Sequence, residues 1–141
     1  MKLSVAIATY NEEKNIKACL DSVSGLADEI VIVDGSSQDK TCLIAKELGA
    51  RIIKTSNKPN FHINKQMAID ACQGEWILQL DADEQLSPAL KKEIRKIIKN
   101  NHDIDGFKIP RRNYFLGRWL SKGGQYPDYV TRLFRKGKGE L

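Results

Sequence analysis

The chain has 141 residues, of which 41% are hydrophobic and 29% charged, with a net charge of +5. That is one domain's length, enough to bury a core, and no apolar run approaches the roughly 18 residues a membrane span needs. The start, Met-Lys-Leu-Ser-Val-Ala-Ile-Ala, is too short for the apolar region of a signal peptide, so the sequence reads as a soluble cytoplasmic protein. Cys19, Cys42 and Cys72 are odd in number and widely spaced, each inside an expected helix, with no CxxC; buried reduced thiols are expected rather than disulfides or a metal cluster.

In chain order, Lys2 to Thr9 reads as a first buried strand. Asn11 is placed to cap a helix whose first turn holds Glu12 and Glu13, in which Ile16, Leu20 and Val23 share a face and which Gly25 ends. Glu29 to Val33 is a second strand, closing on Asp34-Gly35. Ser36-Ser37-Gln38-Asp39 offers a capping box for a helix with Ile44, Ala45 and Leu48 on one side and Gly49 at its end. Ala50 to Thr55 is a third strand, and residues 56–60 form a turn-rich loop. A helix over 62–73 follows, with Ile63, Met67 and Ala71 in line. Gly74 precedes a fourth strand, Trp76 to Leu80, short and almost wholly apolar. Ser87-Pro88 starts a strongly amphipathic helix through Leu90, Ile94, Ile97 and Ile98, and residues 105–111 read as a further strand. Four strand–helix alternations predict an α/β fold with a mostly parallel sheet and right-handed crossovers.

Three strand ends then present polar groups to one crevice: Thr9-Tyr10-Asn11-Glu12, Asp34, and Asp81-Ala82-Asp83. Open α/β sheets bind ligands outside the carboxyl ends of their strands, where a carboxylate after the second strand can reach a ribose or base edge. Two hard oxygen donors after the fourth strand suit Mg²⁺ or Mn²⁺ shared with substrate phosphates; an acidic turn capping the next helix is the alternative. Tyr10 can stack on a base or lie half-buried at the surface. No GxGxxG follows the first strand and no GxxxxGK[ST] occurs anywhere, which argues against dinucleotide dehydrogenases and P-loop enzymes. From Phe107 onward nine Lys/Arg stand against two acids, Asp128 and Glu140, so an acidic partner is expected for that part. Its basic residues alternate with Tyr114, Phe115, Trp119, Tyr126, Tyr129 and Phe134, a mixture suited to phosphorylated lipid-linked saccharides, an anionic membrane surface or nucleic acid.

The segments Ser4–Glu13, Ile32–Thr41 and Gly74–Glu84 resemble the family 2 glycosyltransferases of the GT-A fold, and residues 110–136 resemble the branch that adds β-glucose to lipopolysaccharide core. The resemblance implies a metal-dependent, inverting transfer from a nucleotide-diphospho-sugar, UDP-linked, to a saccharide or lipid-linked acceptor in cell-envelope synthesis, with Mg²⁺ or Mn²⁺ as cofactor. It assigns Thr9, Tyr10, Asn11, Glu12, Asp34, Lys65, Asp81 and Ala82 to the nucleotide-sugar, with Lys65 on the diphosphate. It puts Asp83 and Asp81 on the metal, and Arg112, Trp119, Tyr126, Asp128 and Arg132 on the acceptor side. Gln66 stands where the family usually has Asn. On this reading residues 1–106 are the nucleotide-sugar half and 107–141 begin the acceptor half. The family's carboxylate base lies beyond Leu141, with Asp128 as the weak candidate within the chain, so a C-terminally incomplete fold that binds donor without transferring sugar is expected. The partners implied are donor, acceptor and the inner face of an anionic membrane, with no nucleic acid. A sugar nucleotidyltransferase would carry a glycine-rich basic loop where Ala8-Thr9-Tyr10-Asn11 stands. A binding module without transfer is the non-enzymatic rival.

Overall fold

The computed structural model describes residues 2–57, 61–99, 106–110 and 129–137. Strands β1 (Leu3–Thr9), β2 (Glu29–Asp34), β3 (Arg51–Lys54), β4 (Trp76–Asp81), β5 (Gly106–Pro110) and β6 (Tyr129–Arg135) form one six-stranded sheet in the order β3-β2-β1-β4-β6-β5. The first four are mutually parallel; β6 runs antiparallel to β4, and β5 antiparallel to β6. The mostly parallel α/β sheet expected from the sequence is therefore present, with an antiparallel edge.

The connections explain where the helices lie. Helices α1 (Ile16–Val23) and α2 (Thr41–Glu47) carry the chain outward from β1 to β3, while α3 (Phe61–Ala71) carries it back across to β4. Right-handed crossovers in opposite directions put their helices on opposite faces. One face holds Leu3, Val5 and Ile7 against α1, α2 and α4 (Pro88–Lys99), through Ile16, Leu20, Val23, Ala45, Leu90, Ile94 and Ile97. The other holds the intervening Ala6 with Val31, Val33 and Ile77 against Ala68, Ile69 and Cys72. The small side chain of Ala6 lets α3 pack close over the centre of the sheet.

Several local expectations are corrected. Asn11 does not cap α1, which begins at Ile16 after Asn15 and has no acid in its first turn. Asn11 instead adopts a left-handed conformation, φ 53°, which Asn tolerates better than most residues. On α3 the buried side is Asn64, Ala68 and Ile69, continued by Cys72 just past its end, whereas Ile63 is exposed. Met67 and Ala71 of the expected line pack half-buried against that cluster, so Ile63 alone departs from it. Cys72 lies one residue past α3; it and Cys19 are buried, and Cys42 is half-buried. Strand β6 was not foreseen.

Gly74 enters β4 under a close approach. A Cβ there would sit 2.7 Å from Ser4 Oγ and 2.9 Å from the Ser4 backbone nitrogen, while the Gly74 N–H donates to Ser4 Oγ at 2.8 Å.

Candidate active site at the carboxyl edge of the sheet

Register puts Thr9 beside Asp34 and Ala8 beside Asp81, so β1, β2 and β4 end on one edge. Strand order reverses between β1 and β4: the chain first builds toward β3, then returns to the other side of β1. The crevice at such a reversal is where open α/β sheets take ligands. Tyr10 and Asn11 border it on one side and Asp81-Ala82-Asp83 on the other.

The loops after β1 and β2 are tied together by reciprocal hydrogen bonds. The Asn11 N–H donates to Ser37 Oγ and the Gln38 N–H donates back to Asn11 Oδ1, both at 2.8 Å. The Glu12 N–H donates to Thr41 Oγ1 at 2.8 Å, and the Glu13 N–H to Asp39 Oδ2 at 3.2 Å. Asp39 also accepts from the Thr41 N–H at 2.9 Å, but Lys40 precedes α2 without a side-chain cap bond and the Ser36 hydroxyl donates to the Thr55 carbonyl, so the expected Ser36–Asp39 capping box does not form. Tyr10 stays exposed above this joint.

Asp34 is buried. Its Oδ1 accepts from Thr9 Oγ1 and Ser37 Oγ, each at 2.6 Å, and its Oδ2 from the Ser37 N–H at 2.8 Å. Burial alone would raise its pKa, but the bonds from Ser37 and Thr9 outweigh burial and hold the carboxyl below its ordinary value. Asp34 thus fixes the turn after β2. Parity along the strands places its side chain with Thr9 on the α1/α2 face, opposite the face to which Ile77, Gln79 and Asp81 belong.

That parity lets two cations converge on Asp81. Lys65 Nζ, from α3, lies 2.9 Å from Oδ1, and Arg132 Nη2, from β6, lies 3.6 Å from Oδ2. Gln79 Nε2 donates to Oδ1 at 3.2 Å. Burial pushes Asp81 upward, yet Arg132 and Lys65 outweigh it and the carboxyl is held below its ordinary value. Ala82 is buried and Asp83 is exposed at the tip of the turn. Glu84 folds back beneath: its Oε1 accepts from the Asp81 N–H at 2.8 Å, and its own N–H donates to the Asp81 carbonyl at 3.0 Å. Under the turn, Cys19 Sγ donates to the Asp81 carbonyl at 3.6 Å. Burial and the nearby Glu84, Asp81, Asp83 and Glu12 push that thiol up to about 12, so it stays protonated.

Arg132, expected on the acceptor side, is only 2% exposed and sits beneath the Asp81–Glu84 turn, paired with Glu84. Sequence reasoning missed Glu84 as a partner. The signal available was an Arg inside the β-prone run Tyr129-Val-Thr-Arg-Leu-Phe-Arg135, since a charge in a buried strand needs an opposite one. Arg112, Trp119, Tyr126 and Asp128 lie outside the described residues. No helix among the described residues is long and apolar enough to cross a membrane.

The model of the family described as glycosyl transferase family 2 matches residues 4–140, and the chain belongs to that family. It has the GT-A architecture of those enzymes. An uncharacterised glycosyltransferase of Rickettsia bellii is 40% identical over 96% of this chain and 46% of its own length. The lipopolysaccharide core biosynthesis glycosyltransferase LpsC of Rhizobium meliloti is 31% identical over 99% of this chain and 53% of its own. Among solved structures, glucosyl-3-phosphoglycerate synthase of Mycobacterium tuberculosis, in complex with Mn²⁺, UDP and glucosyl-3-phosphoglycerate, superposes with a TM-score of 0.51. It is 26% identical and covers 60% of this chain and 35% of that one. The chain spans about half the length of the curated relatives it matches.

Proposed function

We propose that this chain forms the donor-binding part of an inverting glycosyltransferase that uses a nucleotide-diphospho-sugar, UDP-linked, and a saccharide or lipid-linked acceptor of the cell envelope. The observation that carries the reading is the carboxylate pair ending β4 at the strand-order reversal, with Lys65 within 2.9 Å of Asp81. The UDP and Mn²⁺ of the mycobacterial complex and the lipopolysaccharide-core assignment of LpsC support it.

The donor set fits a hard divalent cation. Asp81 and Asp83 are hard oxygen donors of the kind Mg²⁺ or Mn²⁺ takes together with phosphate oxygens and water; among the described residues no cluster of three or more His, Cys, Asp or Glu exists. Asp83, exposed, and Asp81 would hold the ion. When bound, it supplies Lewis-acid neutralisation of the leaving diphosphate.

The chain's own residues supply the donor side of the site. Lys65 reaches the β4 end from α3 and is placed to turn its ammonium toward a diphosphate there. Tyr10 offers a ring face to the base, Asp34 and Thr9 keep the second loop in register, and Asn11 and Glu12 lock the first loop to it. Ala82 keeps the turn compact enough for a sugar to approach. On this reading residues 1–106 serve the donor and the segment from 107 the acceptor, with Arg112, Trp119, Tyr126 and Asp128 as proposed acceptor contacts. A carboxylate base removes the acceptor hydroxyl's proton, the oxygen displaces the nucleoside diphosphate at the anomeric carbon, and an α-linked donor yields a β-glycoside. The basic, aromatic segment would rest on an anionic membrane face where lipid-linked acceptors lie.

A thermal-shift screen of nucleotides tests this reading. UDP at about a hundred times its Kd should stabilise by about 2.7 kcal/mol, several degrees for a domain of this size, and only with Mn²⁺ or Mg²⁺ present. An equal shift in EDTA, or none from any nucleoside diphosphate, contradicts it.

A further inference from the structure

Arg132 is built into the site more deeply than an acceptor contact would be. Its Nη1 donates to Glu84 Oε1 at 2.7 Å and to the Gln79 carbonyl at 3.2 Å, and its Nη2 to Glu84 Oε2 at 3.0 Å, with Asp81 Oδ2 at 3.6 Å. Arg132 is 2% exposed and Glu84 3%. Glu84 Oε1 also accepts from the Asp81 N–H at 2.8 Å. The guanidinium fork therefore holds the turn from three sides: the strand before it through Gln79, its first carboxylate through Asp81, and its backbone through Glu84. A planar fork makes such parallel bonds where an ammonium would act as a point charge.

We propose that Arg132, acting through Glu84, is a positioning residue for the cation- and diphosphate-binding turn. It fixes where Asp81 and Asp83 stand, and it ties that turn to β6, the strand that follows the acceptor-side segment. The inference rests on the donor-site reading above. Deleting either partner alone would leave the other buried and uncompensated, which is strongly destabilising. Replacing both with apolar residues of similar length is often neutral or stabilising. The pair as a unit can thus be separated from folding.

The test compares the wild-type chain, Arg132→Lys, and the double variant Glu84→Met/Arg132→Met. Each is followed by thermal melting and by UDP titration in Mn²⁺ and in EDTA, reading the ratio of the two affinities. The double variant is expected to melt cooperatively while that ratio falls at least tenfold, and Arg132→Lys, which keeps the charge and loses the fork, to fall in between. A double variant that folds and retains the wild-type ratio overturns the proposal and leaves Arg132 as a core ion pair. If the double variant does not fold, an undiminished ratio in Arg132→Lys overturns it equally. Failure of the wild-type chain to show any Mn²⁺ dependence is a separate outcome and refutes the donor-site reading itself.

Discussion

Asp83→Asn should weaken Mn²⁺-supported UDP binding at least tenfold, which is about 1.4 kcal/mol, with little change in stability. Asp83 is exposed at the tip of the turn, and surface substitutions of this kind usually stay within about 0.5 kcal/mol. The side chain changes by one atom and one charge, so a loss reports directly on a cation or its water shell. Asp81 is the poorer probe, because its carboxylate is already joined to Lys65 and Arg132 and its removal would disturb both. Calorimetry of the variant in Mn²⁺ decides the matter. An affinity equal to wild type removes Asp83 from the metal.

The largest stability effect should come from Trp76→Ala, at about 3–5 kcal/mol. Trp76 opens β4, is fully buried in the main core cluster, and lies beneath Arg135, whose guanidinium carbon is 4.5 Å from the ring centroid. Its backbone N–H donates to the Lys2 carbonyl at 2.9 Å, so β4 is registered against the start of β1 at this residue. Truncation leaves a cavity between β4 and the helices on that face. Urea denaturation measures the cost; a loss under about 1 kcal/mol would mean that the core collapses around the gap.

The fold was legible where burial and period agree. Strands β1, β2 and β4 are apolar runs ended by polar residues, and α1 and α4 bury the residues their spacing names, Ile16, Leu20 and Val23 in one and Leu90, Ile94 and Ile97 in the other. Reading failed where one residue serves tertiary structure against its local pattern. Asn64 faces inward on α3 while Ile63 does not, and its Nδ2 donates to the Ser56 carbonyl at 3.1 Å, a bond to a preceding loop that the helical pattern does not announce. Strand β6 was hidden by Arg132, a charge that looks like surface until Glu84 is set beside it. The site divides the same way. That Asp81 closes the fourth strand, with Asp83 in the turn after it, could be read from the sequence. The loop joint of Asn11, Ser37, Gln38 and Thr41, and the inward commitment of Asp34, depend on side chains from different loops meeting in space.

The central claim is that the carboxyl edge of this sheet binds a nucleoside diphosphate through a divalent cation held at Asp81-Ala82-Asp83. Titration of the wild-type chain with UDP by calorimetry, once in Mn²⁺ and once in EDTA, tests it most directly. The account predicts saturable binding in Mn²⁺ that weakens at least tenfold when the ion is chelated. Equal affinity under both conditions, or no binding in Mn²⁺, would contradict it.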